Sequence, residues 1–452
     1  MQKVWSISGR SIAVSALALA LTACQSMRGP EPVAQANIPE QGYLTPASGP
    51  SIAEQGYKDF FADQRLLQVL DLALANNRDL RTSTLNIQRA QQQYQITQNN
   101  QLPTIGASGS VLRQDTLNTG TMTRYNVGLG VTAYELDFWG RVRSLKDNAL
   151  DTYLATSSAR DATQIALVGQ VAQAWLNYSF ANANLKLADQ TLKAQLESYN
   201  LNKKRFDVGI DSELPVRQAQ ISVETARNDV ANYKTQIAQA QNLLNLLVGQ
   251  AVPANLLPTQ RVTRISKSNA LSAGLPSDLL NNRPDVRAAE YKLSAAGANI
   301  AAAKARLFPT ISLTGNAGYA STSLSDLFKS GGFVWSIGPS IDLPIFDWGT
   351  RKANIKISET DQQIALSDYE KSIQSAFREV NDALAVRQNI GDRLAAQRRL
   401  VDATNTTYRL SNARFRAGID SYLTVLDAQR ASYAAEQGLL LLEQANMNNQ
   451  VE

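Results

Sequence analysis

Side chains capable of covalent or acid–base chemistry are scarce in this chain. Its 452 residues include no histidine and a single cysteine, Cys24. Without imidazole there is no Ser-His nucleophile pair, no His-ligated zinc and no haem histidine. One cysteine permits no internal disulfide, Cys-rich metal centre or iron–sulfur cluster. No GxxxxGK[ST] phosphate-binding loop occurs. Carboxylates remain, and pairs of them can act as acid and base. Here they are spread along the chain in no pocket-like grouping. No enzyme, no cofactor and no metal are expected. A formal net charge of +5 is small for this length and gives no reason to expect nucleic acid. With 44% hydrophobic and 18% charged residues, the chain is not wholly disordered.

Cys24 therefore stands out, and its surroundings say what it is for. Lys3 and Arg10 precede an apolar stretch, Ser11 to Leu21, of signal-peptide length and too short to span a membrane as a helix. Leu21-Thr22-Ala23-Cys24 resembles the lipobox of bacterial lipoproteins. That resemblance implies cleavage of residues 1–23, acylation at Cys24, and anchoring by several acyl chains where one is insufficient. Gln25, by analogy with lipoprotein sorting, suggests the outer membrane. Residues 24–60 then read as a Pro-, Gly- and Gln-rich tether.

The elements that follow are written twice. Arg205–Gln220 reads RFDVGIDSELPVRQAQ and Arg414–Gln429 reads RFRAGIDSYLTVLDAQ, ten of sixteen positions being identical at an offset of 209. The same offset relates Trp139-Gly140 to Trp348-Gly349. It also relates Leu185, Leu192, Tyr199 and Phe206 to Leu394, Val401, Tyr408 and Phe415, two sets stepping by seven. Pro103-Thr104-Ile105 and Pro309-Thr310-Ile311 match at an offset of 206. We read a first repeat over 61–250 and a second over 277–452, joined by a linker at 251–276.

Each repeat opens with a helix (about 65–100 and 277–306), stopped by Pro103 or Pro309. Pro284 belongs in a first helical turn, with Asp285 favoured there by the helix dipole. Hairpins follow at 104–137 and 310–345. Phe333, Trp335, Ile337 and Ile341 alternate with Val334, Ser336, Gly338 and Asp342, a period of two with one apolar and one small or polar face. In the first hairpin, Val127, Leu129, Val131 and Ala133 alternate with Gly128, Gly130, Thr132 and Tyr134. The turns are expected at 113–124 and 321–332. Long helices come next, at 140–205 and 349–415; Thr350 to Phe415 alone would span about 100 Å. Gly209 and Gly418 mark turns into return helices at 211–249 and 420–451, and the heptad steps predict coiled-coil pairing.

Four strands cannot close a barrel, for which about eight is a practical minimum. Further copies of the chain must complete it. Apolar residues alternating with Gly, Ser, Thr and Asn suit a membrane barrel with a wet lumen. A soluble β-sandwich capping a coiled coil is the alternative.

The motifs NNRPDVRAAE (281–290), LFPTISLTG (307–315), LPIFDWGTR (343–351) and ARFRAGIDSYLTVLDAQR (413–430), with the duplicated helix–hairpin–long-helix layout, resemble the TolC-type outer membrane factors, in the lipoprotein branch around OprM. The resemblance spans essentially the whole mature chain. It implies a mainly α protomer that gives four strands to a trimeric twelve-stranded barrel and long helices to a periplasmic tunnel. The implied role is a passive exit duct in a tripartite multidrug efflux pump. Its partners would be a periplasmic adaptor, an inner-membrane resistance–nodulation–division transporter and outer-membrane lipid. The resemblance also implies a further equatorial segment past the last helix, where the given sequence stops at Val451-Glu452.

The resemblance also places sites. Leu423 matches an apolar constriction and Asp427 an acidic ring, with Asp420 nearby; the first repeat has Leu214 and Gln218 at the matching positions. Three Asp427 carboxylates would favour cations, and three Leu423 side chains would gate by dewetting. Read without the family, the two are a solvated carboxylate and a heptad core residue. The turns Gly209, Ile210, Asp211, Ser212 and Gly418, Ile419, Ser421 are candidates for adaptor docking, or simply turn chemistry. Trp139 and Trp348 are candidates for the membrane interface, with packing at the bend as the alternative. Two other functions fit the same layout: a duct for protein or peptide secretion, and a structural lipoprotein with a solid coiled coil.

Overall fold

The computed structural model describes residues 27, 29, 32–35, 55–116, 120–267 and 282–452. Cys24 and most of the expected tether lie outside them. After a single turn, α1 (Tyr57–Phe60), two helices follow, α2 (Gln64–Asn76) and α3 (Arg78–Asn99). Strands β1 (Ile105–Thr116) and β2 (Gly120–Glu135) lead to α4 (Arg141–Asp207) and α5 (Glu213–Val248). The second series is α6 (Pro284–Ala305), β3 (Thr310–Ser321), β4 (Phe333–Asp342), α7 (Thr350–Arg416) and α8 (Tyr422–Val451).

The continuous helix expected over 65–100 is two helices, broken at Asn77. That residue leaves helical geometry (φ −59°, ψ 132°). Its side-chain oxygen accepts from the Leu80 amide at 2.8 Å, and its amide donates to the Leu247 carbonyl at 2.8 Å. The end of α5 explains the break. Gly249 caps α5 with φ 77°, and a Cβ there would stand 2.4 Å from the Asn76 carbonyl oxygen. Only glycine lets the two backbones meet this closely. In the second series Asn282 is helical, Arg283 interrupts, and α6 begins at Pro284; residues 277–281, where the expected helix starts, lie outside the described set.

The four strands form one antiparallel sheet in the order β1-β2-β3-β4. The turn expected over 113–124 is much tighter. Arg113 pairs with Thr123 and Thr116 with Gly120, so the ladder runs through most of that span, and residues 117–119 lie outside the described set. Tyr134 also departs from the simple alternation. A bulge between Val131 and Tyr134, with Ala133 at φ 50°, inserts one residue into the ladder. Tyr134 consequently shares a face with Leu313, and Glu135 moves to the polar face opposite Ser312.

Helices α4 and α7 run for 67 residues each, so their rise comes to about 100 Å. Among the described residues no helix is long and apolar enough to cross a membrane. The main core gathers Leu66 and Leu70 of α2, Trp175, Leu176 and Phe180 of α4, Leu244 of α5, Ile265 of the linker, and Leu440 and Met447 of α8. Removing each large apolar side chain from water contributes about 1.5–3 kcal/mol. The Trp175 indole donates to the Leu256 carbonyl at 3.0 Å, and the Ser179 hydroxyl accepts from the Val262 amide at 3.0 Å. The linker is thereby part of the core.

Two compact units emerge, and neither is a sequence repeat. One contains Leu85–Ala159 and Asp285–Ser372, with the whole sheet. The other contains Arg160–Pro284, Ile373–Glu452 and the helical residues up to Thr84, with the main core.

Candidate functional site

The sheet has chemically distinct faces. Val127, Leu129, Ala317, Tyr319, Trp335 and Ile337 occupy register positions on one of them. Ser110, Asn126, Gly128, Asn316, Gly318 and Ser336 occupy the other. The apolar face is left uncovered, Trp335 being 69% exposed and every β4 residue exposed. Among the described residues the sheet does not close on itself or on any other strand. β1 and β4 each have one neighbour, so each presents an unpaired edge.

Both strand-to-helix corners are built alike. Gly140 and Gly349 take φ 73° and 87°. Asp137 accepts from the amides of Val142 (2.9 Å) and Arg143 (2.8 Å), and Asp347 from those of Gly349 and Arg351 (both 3.1 Å). These carboxylates satisfy otherwise orphaned N–H groups at the starts of α4 and α7. The Arg351 guanidinium, 2.6 Å from Asp347, holds that carboxyl below its ordinary pKa. The two tryptophans differ. Trp139 stacks on Phe308 (4.7 Å, 20°) and donates to the Pro309 carbonyl at 2.8 Å. Trp348, at φ 54°, is 95% exposed.

The helix-to-helix turns also repeat. The amides of Gly209 and Ile210 donate to the carbonyls of Phe206 and Arg205 (2.9 and 2.8 Å). Those of Gly418 and Ile419 donate to Phe415 and Arg414 (2.9 and 3.0 Å). Both glycines sit at φ 75°, as such a helix end demands. Ile210 and Ile419 are exposed, as is Val208. Each turn is fastened by an ion pair: Arg205–Asp211 at 2.6 Å, and Arg414–Asp420 at 2.6 and 2.9 Å. Arg414 lowers the Asp420 pKa. Asp420 is thus engaged within its own turn rather than standing as a free charge beside Asp427. The signal for this clasp in the sequence is the recurrence of Arg205/Asp211 as Arg414/Asp420 at the 209-residue offset.

Leu423 and Asp427 lie one turn apart at the start of α8. Both are exposed, Leu423 by 49%, while the intervening Val425 and Leu426 are buried against Phe415, Tyr422 and Ala219. Leu423 is therefore not a core residue of the protomer. Leu214, its counterpart in the first repeat, is also exposed, and Gln218 is half-buried. The repeats are not identical here: Phe415 is buried, whereas its counterpart Phe206 is exposed. Among the described residues no group of three or more His, Cys, Asp or Glu is placed to hold a metal ion.

The family described as "Outer membrane efflux protein" matches residues 69–250 and 275–452. The chain belongs to this family. The antibiotic efflux pump outer membrane protein ArpC of Pseudomonas putida is 42% identical over 440 residues, 95% of this chain and 91% of that protein. The cation efflux system protein CusC of Escherichia coli is 38% identical over 96% of each chain. The open state of the MtrE outer membrane channel of Neisseria gonorrhoeae superposes with a TM-score of 0.86 at 38% identity, covering 94% of this chain and 96% of that one. This efflux protein is accordingly an outer membrane channel component. Its four-stranded sheet is one third of a twelve-stranded barrel shared by three chains, which places the apolar face toward lipid and the polar face toward the lumen. The open edges of β1 and β4 are where copies join.

Proposed function

We propose that the chain is the passive exit duct of a tripartite drug-efflux pump, anchored through acylated Cys24 and lacking chemistry of its own. The supporting observation is the start of α8, where an apolar and an acidic side chain are both turned away from the protomer's core. In a trimer, three Leu423 side chains form an apolar constriction that gates by dewetting, and three Asp427 carboxylates beside it favour cations. The exposed glycine turns at 209–212 and 418–421 dock a periplasmic adaptor. The adaptor couples the duct to an inner-membrane resistance–nodulation–division transporter, the source of the driving force. Trp348, fully exposed in the protomer, lies at the membrane interface, where indole is favoured.

Complementation of a strain lacking its efflux channel tests the cargo. Expression of the chain together with its adaptor and transporter should lower accumulation of a fluorescent drug analogue and leave secreted proteins unchanged. Restored secretion with unchanged drug accumulation would replace efflux by protein export.

A further inference from the structure

The polar face of the sheet is almost free of charge. Register positions across all four strands place only three ionisable side chains on it: Arg124, Glu135 and Asp342. Glu135 is taken by Arg141 of α4, whose Nε donates to it at 2.8 Å. Glu135 and Asp342 lie at the end of the sheet that adjoins the helices. Arg124 lies at the opposite end, opposite Leu112 and four residues from Gly120, where the hairpin turns. Its strand position is beyond Tyr125, the last β2 residue paired with β3, so it stands in the part of the hairpin that outreaches β3. The side chain is exposed. Its Nε donates to the Asn126 side chain at 3.1 Å, which fixes the guanidinium on the polar face. Among the described residues no carboxylate forms an ion pair with it; Asp115 and Arg113 belong to the apolar face.

We infer that Arg124 is a charge-selecting residue at the outer mouth of the channel. Three copies form a positive collar that attracts anions and slows cations in either direction. The collar acts through an aqueous lumen, so its reach follows the Debye length, about 30 Å at 0.01 M salt and about 3 Å at 1 M. The inference rests on the shared-barrel reading and on nothing about cargo.

Thiol labelling from outside the cell tests it without involving the periplasmic gate. Ser336 shares the polar face with Asn316 and Gly130, six residues along β2 from Arg124 and hence about 20 Å deeper. In Ser336→Cys cells, reaction rates with an anionic and a cationic methanethiosulfonate reagent are compared at low salt, with the unsubstituted chain as background. Adding Arg124→Gln should lower the anionic-to-cationic rate ratio roughly fivefold to tenfold, because a potential of about one kT acts with opposite sign on the two reagents. Arg124→Lys should keep the ratio, and 1 M salt should abolish the difference. A ratio indifferent to Arg124→Gln overturns the collar while leaving the barrel intact. A Ser336→Cys thiol that neither reagent reaches overturns the wet lumen and the collar with it.

Discussion

At the scale of single residues, the proposed gate depends on where two side chains point. Leu423 and Asp427 have ordinary chemistry, and the proposed gate rests on their exposure beside buried Val425 and Leu426. Asp427→Ala should weaken cation selectivity in planar bilayers, seen as a reversal potential moved toward zero in a salt gradient. An unchanged reversal potential would remove Asp427 from the gate. The residue types and their spacing were legible in the chain. Their direction was not, because a heptad leucine and a lumen leucine have the same sequence and differ only in what packs on them.

At the scale of elements, the repeated turns explain how each long helix reverses. Gly209 and Gly418 supply the left-handed residue, and Arg205–Asp211 and Arg414–Asp420 clasp the turn. The Asp420 pKa is lowered in the folded chain by Arg414. A group with a depressed folded pKa contributes stability above its unfolded pKa, about 3.9, and loses it as pH falls through the lower folded value. Amides at 417–421, corrected for intrinsic exchange, should therefore exchange faster below about pH 4 than at pH 7. Asp420→Asn should show the faster exchange at both pH values. Equal protection in the variant and the parent at pH 7 would show that the backbone hydrogen bonds alone hold the turn. The break at Asn77 and the bulge at Ala133 were not visible as elements. Neither residue type forces the break; the first depends on Gly249 arriving from α5, and the second on register with β3.

At the scale of the whole molecule, an incomplete sheet commits the chain to oligomerise. Its apolar face is uncovered and two edges are unpaired. Ile337→Arg places a charge on the lipid face, where a midplane arginine costs about 2–4 kcal/mol. Ser336→Arg, one residue away, places it in the lumen. The heat-modifiable trimer band on gels should be lost or weakened for Ile337→Arg and kept for Ser336→Arg. The reverse order would invert the assignment of faces, and equal effects would count against a membrane barrel.

The sequence by itself determined the signals that depend on order along the chain. These are the lone cysteine after an apolar stretch, the duplication, the two long helices, the period-two strands and the turn glycines. Local chemistry writes each of them, through backbone propensity, hydrophobic period and φ > 0. Only the tertiary structure decided that the compact units cut across the repeats. The reason is pairing between distant segments. β2 joins β3 across the repeat boundary, while Tyr433 donates to Asp229 and Gln437 to Tyr233 between the two return helices. Such contacts depend on which surfaces remain to be covered once the helices and hairpins have formed, and periodicity alone does not record that.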